Sequence, residues 1–287
     1  MQSISYTLLN PTGNMTILAE TPVPQAAQPS VAAHLMKLEP AAEQVGFLSF
    51  PDPAEDIDVV LRMAGGEFCG NAAMSAAALY LERKEAAGSS GQPQPAARTA
   101  PAAVTVRVSG TENPVSVKLT ALDAGKGWKG TVTMPEPISV KQEHLANGME
   151  LPVVRFPGIT HVILEEGAAC AAESGITAEN AEQMAPVLCA ELGAEALGLM
   201  FLNRDHSALT PLVYVPGAGT LFWETSCASG TTAVGAWAAG QNGSPEASGF
   251  PLTLSLKQPG GTLEITAAQD GTLSLTGTVS VMYSGRG

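Results

Sequence analysis

Two cysteines stand in settings that favour reactivity. Gly65-Gly66-Glu67-Phe68-Cys69-Gly70-Asn71 runs directly into the Ala-rich segment Ala72 to Glu85. Likewise Trp223-Glu224-Thr225-Ser226-Cys227-Ala228-Ser229-Gly230-Thr231 runs into the apolar stretch Ala233 to Ala239. Glycines and an Asn ahead of a good helix former describe a tight turn that delivers a thiol to a helix N-terminus. A free thiol titrates near ~8.5, and the dipole and unsatisfied N–H groups of a helix mouth lower that toward neutrality, so both cysteines are expected to ionise readily. The amides of Gly70, Asn71, Ser229 and Gly230 form anion sites suited to a carboxylate. Two such thiols on opposite faces of one α-carbon would invert it: one thiolate removes the proton and the other thiol returns one. The grip on the carboxylate supplies the electrostatic stabilisation, so no pyridoxal group, other cofactor or metal is required.

Other residues qualify this chemistry. Glu67 and Glu224 each lie within three residues of a cysteine and read either as solvated carboxylates or as groups that relay a proton or bind a cation. His161 reads either as a satisfied interior histidine or as a tuner of a nearby thiol. Cys170 and Cys189 lack the turn context and read as small core residues. None of the four cysteines forms a C-x-x-C pair, which argues against a zinc site, and a reducing compartment argues against a disulfide framework. A hydrolase using Cys69 and His161 is an alternative, although it leaves Cys227 without a role.

The elements that must position these residues follow from pattern. Ile4 to Leu9 and Met15 to Leu18 read as a hairpin about Asn10-Pro11-Thr12-Gly13-Asn14. A helix is expected over Val31 to Leu38, with strands over Gln44 to Phe50 and Ile57 to Met63. Ala86 to Ala103 has the composition of a connector, and Val104 to Ser109 and Val115 to Thr120 alternate as half-buried strands. A boundary falls near Leu122 to Lys126. The order then repeats: strands at Gly130 to Met134 and His161 to Leu164, a helix over Ala178 to Leu192, strands at Leu197 to Leu202 and Thr210 to Tyr214, and the second cysteine turn. Strands at Phe250 to Leu256, Thr262 to Thr266 and Leu273 to Met282 complete the chain. The expected domains are residues 1–122 with about 277–287, carrying Cys69, and 123–276, carrying Cys227.

Composition sets outer limits. The 287 residues are 45% hydrophobic and 14% charged, as in a folded protein with a sizeable core. A net charge of −13 argues against nucleic acid or an anionic membrane as partner and leaves a small molecule. Met1-Gln-Ser-Ile-Ser-Tyr has neither the basic nor the apolar region of a signal peptide, and no run reaches the ~20 apolar residues that span a bilayer. A cytoplasmic location is expected.

Taken together, the two cysteine motifs resemble those of the pyridoxal-independent two-thiol racemases and epimerases, the diaminopimelate epimerase and proline racemase fold. Asn14 matches the N-terminal Gly-Asn of that family, Gln44 its strand glutamine, Cys69-Gly70-Asn71 and Cys227 to Thr231 its catalytic motifs, and His161 the histidine of its Gly-Asn-Pro-His. Ala228 stands where the family usually has glycine. The resemblance implies an α+β fold of two pseudo-symmetric domains, each a curved sheet around a central helix, with the active site in the cleft between them. It also implies catalysis by Cys69 and Cys227, and substrate contacts from Asn14, Gln44, Gly70, Asn71, His161, Glu224, Ala228, Ser229 and Gly230, with Glu67 assisting. A homodimer is an expectation of the resemblance alone.

Departures narrow the substrate. Gly158-Ile159-Thr160-His161, Tyr214-Val215-Pro216-Gly217 and Met63-Ala64-Gly65-Gly66 lack the polar groups with which diaminopimelate epimerases hold the distal zwitterion, and an unpaired buried zwitterion costs several kcal/mol. The strings Asn10 to Leu18, Glu43 to Phe47, Glu67 to Ala72 and Trp223-Glu224 are most similar to histidine racemases of staphylopine-type metallophore synthesis. Histidine is therefore the expected substrate. Proline, hydroxyproline or diaminopimelate on the same machinery, or a non-catalytic amino-acid-binding relative, are the alternatives.

Overall fold

The computed structural model describes residues 3–51, 55–88, 101–122, 127–146, 148–241 and 250–287. The chain forms two compact units, Met1–Thr133 with Thr276–Gly287, and Met134–Leu275.

In the first unit, β1 (Ser5–Pro11) turns through Thr12 and Gly13, both at positive φ, into β2 (Thr16–Ala19). The amide of Gly13 is capped by Asn10 Oδ1, a local bond that favours the turn. Helix α1 (Gln28–Leu38) then crosses to β3 (Gln44–Ser49), parallel to β2 with Thr16 opposite Gln44. β4 (Val59–Met63) is antiparallel to β3. A second crossover, α2 (Gly70–Gly88), leads to β5 (Ala102–Val108), parallel to β4. β6 (Val115–Ala121) and β7 (Trp128–Met134) continue antiparallel.

The closing strand of this unit comes from the far end of the chain. The strand order runs β1 to β7 and then to the last strand, which pairs back onto β1, so the sheet is a ring. Helix α2 packs against β1, β2, β4, β5 and β6. It can do so because Ala72, Ala73, Met74, Ala76, Ala77 and Ala78 are all at zero exposure, the signature of a helix that is apolar on every side. Gly130 helps by letting the Met74 sulfur approach within 3.1 Å of where a Cβ would stand.

The second unit repeats the plan with a six-stranded sheet. Its strands are β8 (Ser139–His144), β9 (Glu150–Phe156), β10 (Ile159–Glu165), β11 (Leu197–Leu202), β12 (Leu209–Val215) and β13 (Thr220–Trp223), in spatial order from β13 to β8. Helices α3 (Ala169–Ser174) and α4 (Ala181–Glu191) connect β10 to the parallel β11. Leu188, Ala185 and Cys189 of α4 pack into the core with Leu197, Leu199 and Leu212. Helix α5 (Ala228–Gln241) is buried from Gly230 to Ala238 and packs against β8 to β11 and the hairpin of β14 (Leu252–Gln258) and β15 (Gly261–Ala267). A Cβ at Gly235 would lie 2.5 Å from Ile265, so glycine there sets the closest helix–sheet approach. The last strand, β16 (Leu273–Arg286), is the one that returns to β1, pairing Ser5 with Arg286 through Pro11 with Val279.

This mixed α+β architecture agrees with the sequence reading, with local differences. The strand expected to open the second half, Gly130 to Met134, is part of β7 and pairs with β6 in the first unit. Strands β8, β9 and β13 are additions to the sequence reading: β8 is exposed at four of its six positions and half-buried at the other two, and β9 carries Pro152. The helix expected over Ala178 to Leu192 begins at Ala181, since Asn180 Oδ1 accepts from the Thr177 amide and spends that turn as a loop. The connector expected over Ala86 to Ala103 is helical to Gly88 and extended from Ala102; residues 89–100 lie outside the described residues, as do residues 123–126 of the expected boundary. Among the described residues no helix is long and apolar enough to cross a membrane.

Candidate active site

Both cysteines cap their helices in the same way. Cys69 precedes the first residue of α2; its carbonyl accepts from Ala73 N at 2.9 Å and its sulfur from Ala72 N at 3.4 Å. Cys227 precedes the first residue of α5; its carbonyl accepts from Thr231 N at 3.0 Å and its sulfur from Gly230 N at 3.3 Å. In each case the thiol takes the place of an N-cap hydroxyl, so the sulfur points along the open end of the helix dipole. Asn71, expected to contact substrate, is the second residue of α2 and only 1% exposed. Gly70, Ala228 and Ser229 occupy the first turns of the two helices, and the Ser229 hydroxyl lies 3.6 Å from the Cys227 sulfur.

Each turn is clamped by the strand that follows its own helix. At the end of β5, Ser109 Oγ accepts from Met63 N at 2.9 Å and donates to the Glu67 carbonyl at 2.9 Å, bracketing the loop before Cys69. At the end of β14, Gln258 Oε1 accepts from Cys227 N at 2.8 Å while its Nε2 donates to Thr231 Oγ1 at 2.8 Å. Thr231 Oγ1 in turn donates to the Cys227 carbonyl at 2.7 Å, and Gly260 N donates to the Thr225 carbonyl at 2.7 Å. Ser109, Gln258 and Thr231 had no motif to announce them. The only sequence signal was positional: Ser109 and Gln258 both end the first strand after a cysteine helix.

Around Cys69 the polar neighbours form a chain. The thiol donates to Gln44 Oε1 at 3.0 Å, Gln44 Nε2 donates to Asn14 Oδ1 and to Thr16 Oγ1, and Asn14 Nδ2 donates to Glu43 Oε2 at 2.6 Å. Asn14 and Gln44, expected to contact substrate, are thus within one or two hydrogen bonds of the sulfur, and Glu43 is an addition the sequence reading lacked. Glu67 is largely buried and its carboxyl is raised by that burial, with the Arg62 guanidinium opposing the shift.

Cys227 departs from the expectation of an easily ionised thiol. It is 3% exposed, and burial first, then the Glu224 carboxylate beside it, push its pKa well up; the Ser229 hydroxyl and Gly230 N–H pull the other way without prevailing. The helix mouth is outweighed because loss of water penalises a thiolate more than one or two N–H groups repay. Cys227 therefore rests as a thiol with a carboxylate in hydrogen-bonding contact.

His161 lies on β10 at zero exposure, edge-on to Phe156, with neither ring nitrogen hydrogen-bonded to another group of the described residues. Gly198, its register partner on β11, makes the room: a Cβ there would stand 2.2 Å from His161 Nδ1. Met200 packs against both this place and Gly230, where a Cβ would meet its sulfur at 2.1 Å and the Cys227 sulfur at 3.2 Å. Burial alone pulls His161 down to about 3, and the shift of Cys227 owes nothing to it. The histidine is thus buried and neutral, and among the described residues it lacks the hydrogen bond that one of its two sequence readings, a satisfied interior histidine, required.

This histidine has a consequence for stability. Its folded pKa is depressed, so the unfolded state binds the proton first as pH falls; the contribution is complete above about 6.5, the ordinary value, and drains away toward 3. Urea unfolding of the wild type minus that of His161→Gln is expected to slope with pH by up to about 1.4 kcal/mol per unit between these limits. Parallel stability–pH curves for the two proteins would contradict a buried neutral imidazole.

Cys189 is buried against Ala194, its thiol reaching the Ala194 carbonyl at 3.2 Å, as a core residue does, whereas Cys170 on the short helix α3 is only half-buried and lies outside the core that the sequence assigned it.

Comparison with known proteins gives the same frame. The family model described as "Histidine racemase CntK N-terminal domain" matches residues 3–286. A histidine racemase of Fusobacterium nucleatum subsp. nucleatum is 29% identical over 237 residues, covering 82% of this chain and 81% of that protein. A histidine racemase of Staphylococcus aureus is 26% identical over 294 residues, covering 99% and 97%. Among solved structures, a probable proline racemase from Agrobacterium radiobacter superposes with a TM-score of 0.67 at 14% identity, covering 98% of this chain and 92% of that one. A hydroxyproline epimerase from Agrobacterium vitis does so with a TM-score of 0.66 at 12% identity, covering 100% and 91%. With a cysteine-capped helix in each unit and a family match over nearly its whole length, this isomerase chain belongs to the histidine racemase family.

Proposed function

We propose that the protein interconverts L- and D-histidine without a cofactor, by 1,1-proton transfer between Cys69 and Cys227 acting on opposite faces of one α-carbon in a cleft between two pseudo-symmetric domains. The observation that carries this reading is the duplicated cap. Both thiols sit at a helix mouth, held by the same pair of backbone bonds from the third and fourth residues beyond them. A single-function thiol gives no reason for the second copy, whereas a reversible inversion needs an acid and a base of the same kind. The N–H groups of the first helical turns suit the substrate carboxylate, and the histidine racemases among the relatives suggest the substrate.

Glu224 has a defined part in this reading. Cys227 rests protonated beside it, and the carboxylate is the acceptor that can take the thiol proton when Cys227 is to serve as base. D-Histidine made in this way would enter the synthesis of an opine-type metallophore in the cytoplasm.

Incubation with L-histidine in D2O is expected to give D-histidine carrying deuterium at the α-position, with no exchange in proline, hydroxyproline or diaminopimelate supplied at equal concentration. Exchange with one of those and none with histidine would move the substrate assignment while keeping the chemistry. In the same assay Glu224→Gln is expected to run about a hundredfold slower, the usual scale for losing a proton-transfer group.

A further inference from the structure

The hydrogen bonds around Cys69 have a direction, and it can be followed from one end to the other. The hydroxyl of Thr16 has a single proton and gives it to the Asn14 carbonyl at 2.9 Å. Toward Gln44 that hydroxyl can therefore only accept, so the group facing it at 2.7 Å must be the Gln44 amide nitrogen. Independently, the Glu43 carboxylate accepts from Asn14 Nδ2 at 2.6 Å, which turns Asn14 Oδ1 toward Gln44 and again requires the nitrogen of Gln44 to face it. Both N–H bonds of the Gln44 amide are consumed in this way. What remains for Cys69 is the carbonyl oxygen, at 3.0 Å from the sulfur. A carbonyl oxygen can accept a hydrogen bond from a thiol and has none to offer a thiolate.

We propose that Gln44 is a positioning residue, oriented by Asn14, Thr16 and Glu43, which holds Cys69 in the protonated form and makes it the proton donor of the resting enzyme. On the two-thiol reading above, on which this role in turnover rests, the Cys69 S–H bond breaks as the C–H bond forms at the α-carbon. The electron pair of the carbanion makes the new bond, and the thiolate left behind faces an oxygen that favours its reprotonation once product has gone. Asn14 and Gln44 thereby serve the sulfur and are not readers of the substrate side chain.

Glu43 acts through Asn14, and Glu67 lies two residues before the cysteine with Arg62 of β4 against it. Arg107 of β5, paired with Glu55, and Lys118 of β6 are exposed. The direct contact of Gln44 with the thiol carries the assignment.

The test is the pH dependence of Cys69 alkylation by iodoacetamide in the full-length protein, read peptide by peptide by mass spectrometry so that Cys170, Cys189 and Cys227 do not contribute. Gln44→Met removes the acceptor and is expected to lower the midpoint by about one pH unit, whereas Gln44→Glu places a negative charge there and is expected to raise it. Thr16→Val, which frees the amide to turn over, is expected to lower it by less. General loosening of the fold would shift the two Gln44 variants in one direction. Midpoints unmoved by both substitutions, or moved the same way, overturn the assignment. The readout needs no turnover, so a protein that failed to racemise histidine while showing these opposed shifts would count against the proposed substrate and leave the hold of Gln44 on the Cys69 thiol intact.

Discussion

Replacing either Cys69 or Cys227 by alanine is expected to lower kcat for histidine racemisation by at least about a thousandfold, equivalent to some 4 kcal/mol of barrier. The two losses should be similar, because a reversible inversion passes through both thiols in each direction. Chiral chromatography of the histidine produced measures this directly. The fold should survive the change, since the first helical bonds, Ala73 N and Thr231 N to the preceding carbonyls, come from the backbone. Only the sulfur's share of the cap is lost, worth about 1 kcal/mol. Cys170→Ser on α3 is the matching control and should be fully active. A Cys227→Ala enzyme of normal activity would mean that one thiol suffices for the inversion and end the two-base reading.

The second large effect is expected at a residue that touches no substrate. Gly110 follows Ser109 at the end of β5 with φ +78, and a Cβ on it would stand 2.2 Å from Phe68 N and 2.6 Å from the Glu67 carbonyl carbon. These are backbone atoms of the Cys69 turn and cannot swing aside. Gly110→Ala must then push the strand end off the turn, breaking the Ser109 bonds to Met63 N and the Glu67 carbonyl as well as straining its own backbone. Left-handed strain of about 1–2 kcal/mol and two bonds of about 1 kcal/mol each give an expected destabilisation of about 3–4 kcal/mol. Gly271→Ala shares the positive φ, at +87, but has nothing within 4 Å. It should cost only the first part. Urea midpoints of the two variants measure the difference, and equal values would show that the contact at Phe68 carries no weight.

The cysteine turns were legible in the sequence because their signals are local. Glycines, a thiol and a run of small residues sit within a few positions of one another, and helices buried on all sides, such as α2 and α5, need that composition. The clamps were not legible. Ser109 and Gln258 are single polar residues at strand ends, and their partners are fixed by sheet register over tens of residues. The same holds for Glu43, whose partner Asn14 lies 29 positions away in the chain. The protonation of Cys227 was misread for a related reason. A helix mouth can be seen in a sequence, but the loss of water that decides the thiol's state at 3% exposure cannot. Edge strands such as β8 were hidden because side chains of both rows face water, so there is no apolar–polar alternation to read.

The strand that closes the first ring has a bearing on how the molecule is made. Ile4 and Gly287 exchange backbone bonds of 2.8 and 2.9 Å, and β16 lies along the whole of β1. During synthesis β1 must wait, with its edge unpaired, until residues 276–287 have left the ribosome, by which time every residue of Met134–Leu275 has already emerged. Vectorial folding, in which the earlier-made part ordinarily finishes first, is inverted here. The unit that carries Cys69 is begun first and completed last, and its unpaired strand is the part of the nascent chain most in need of protection from other strands.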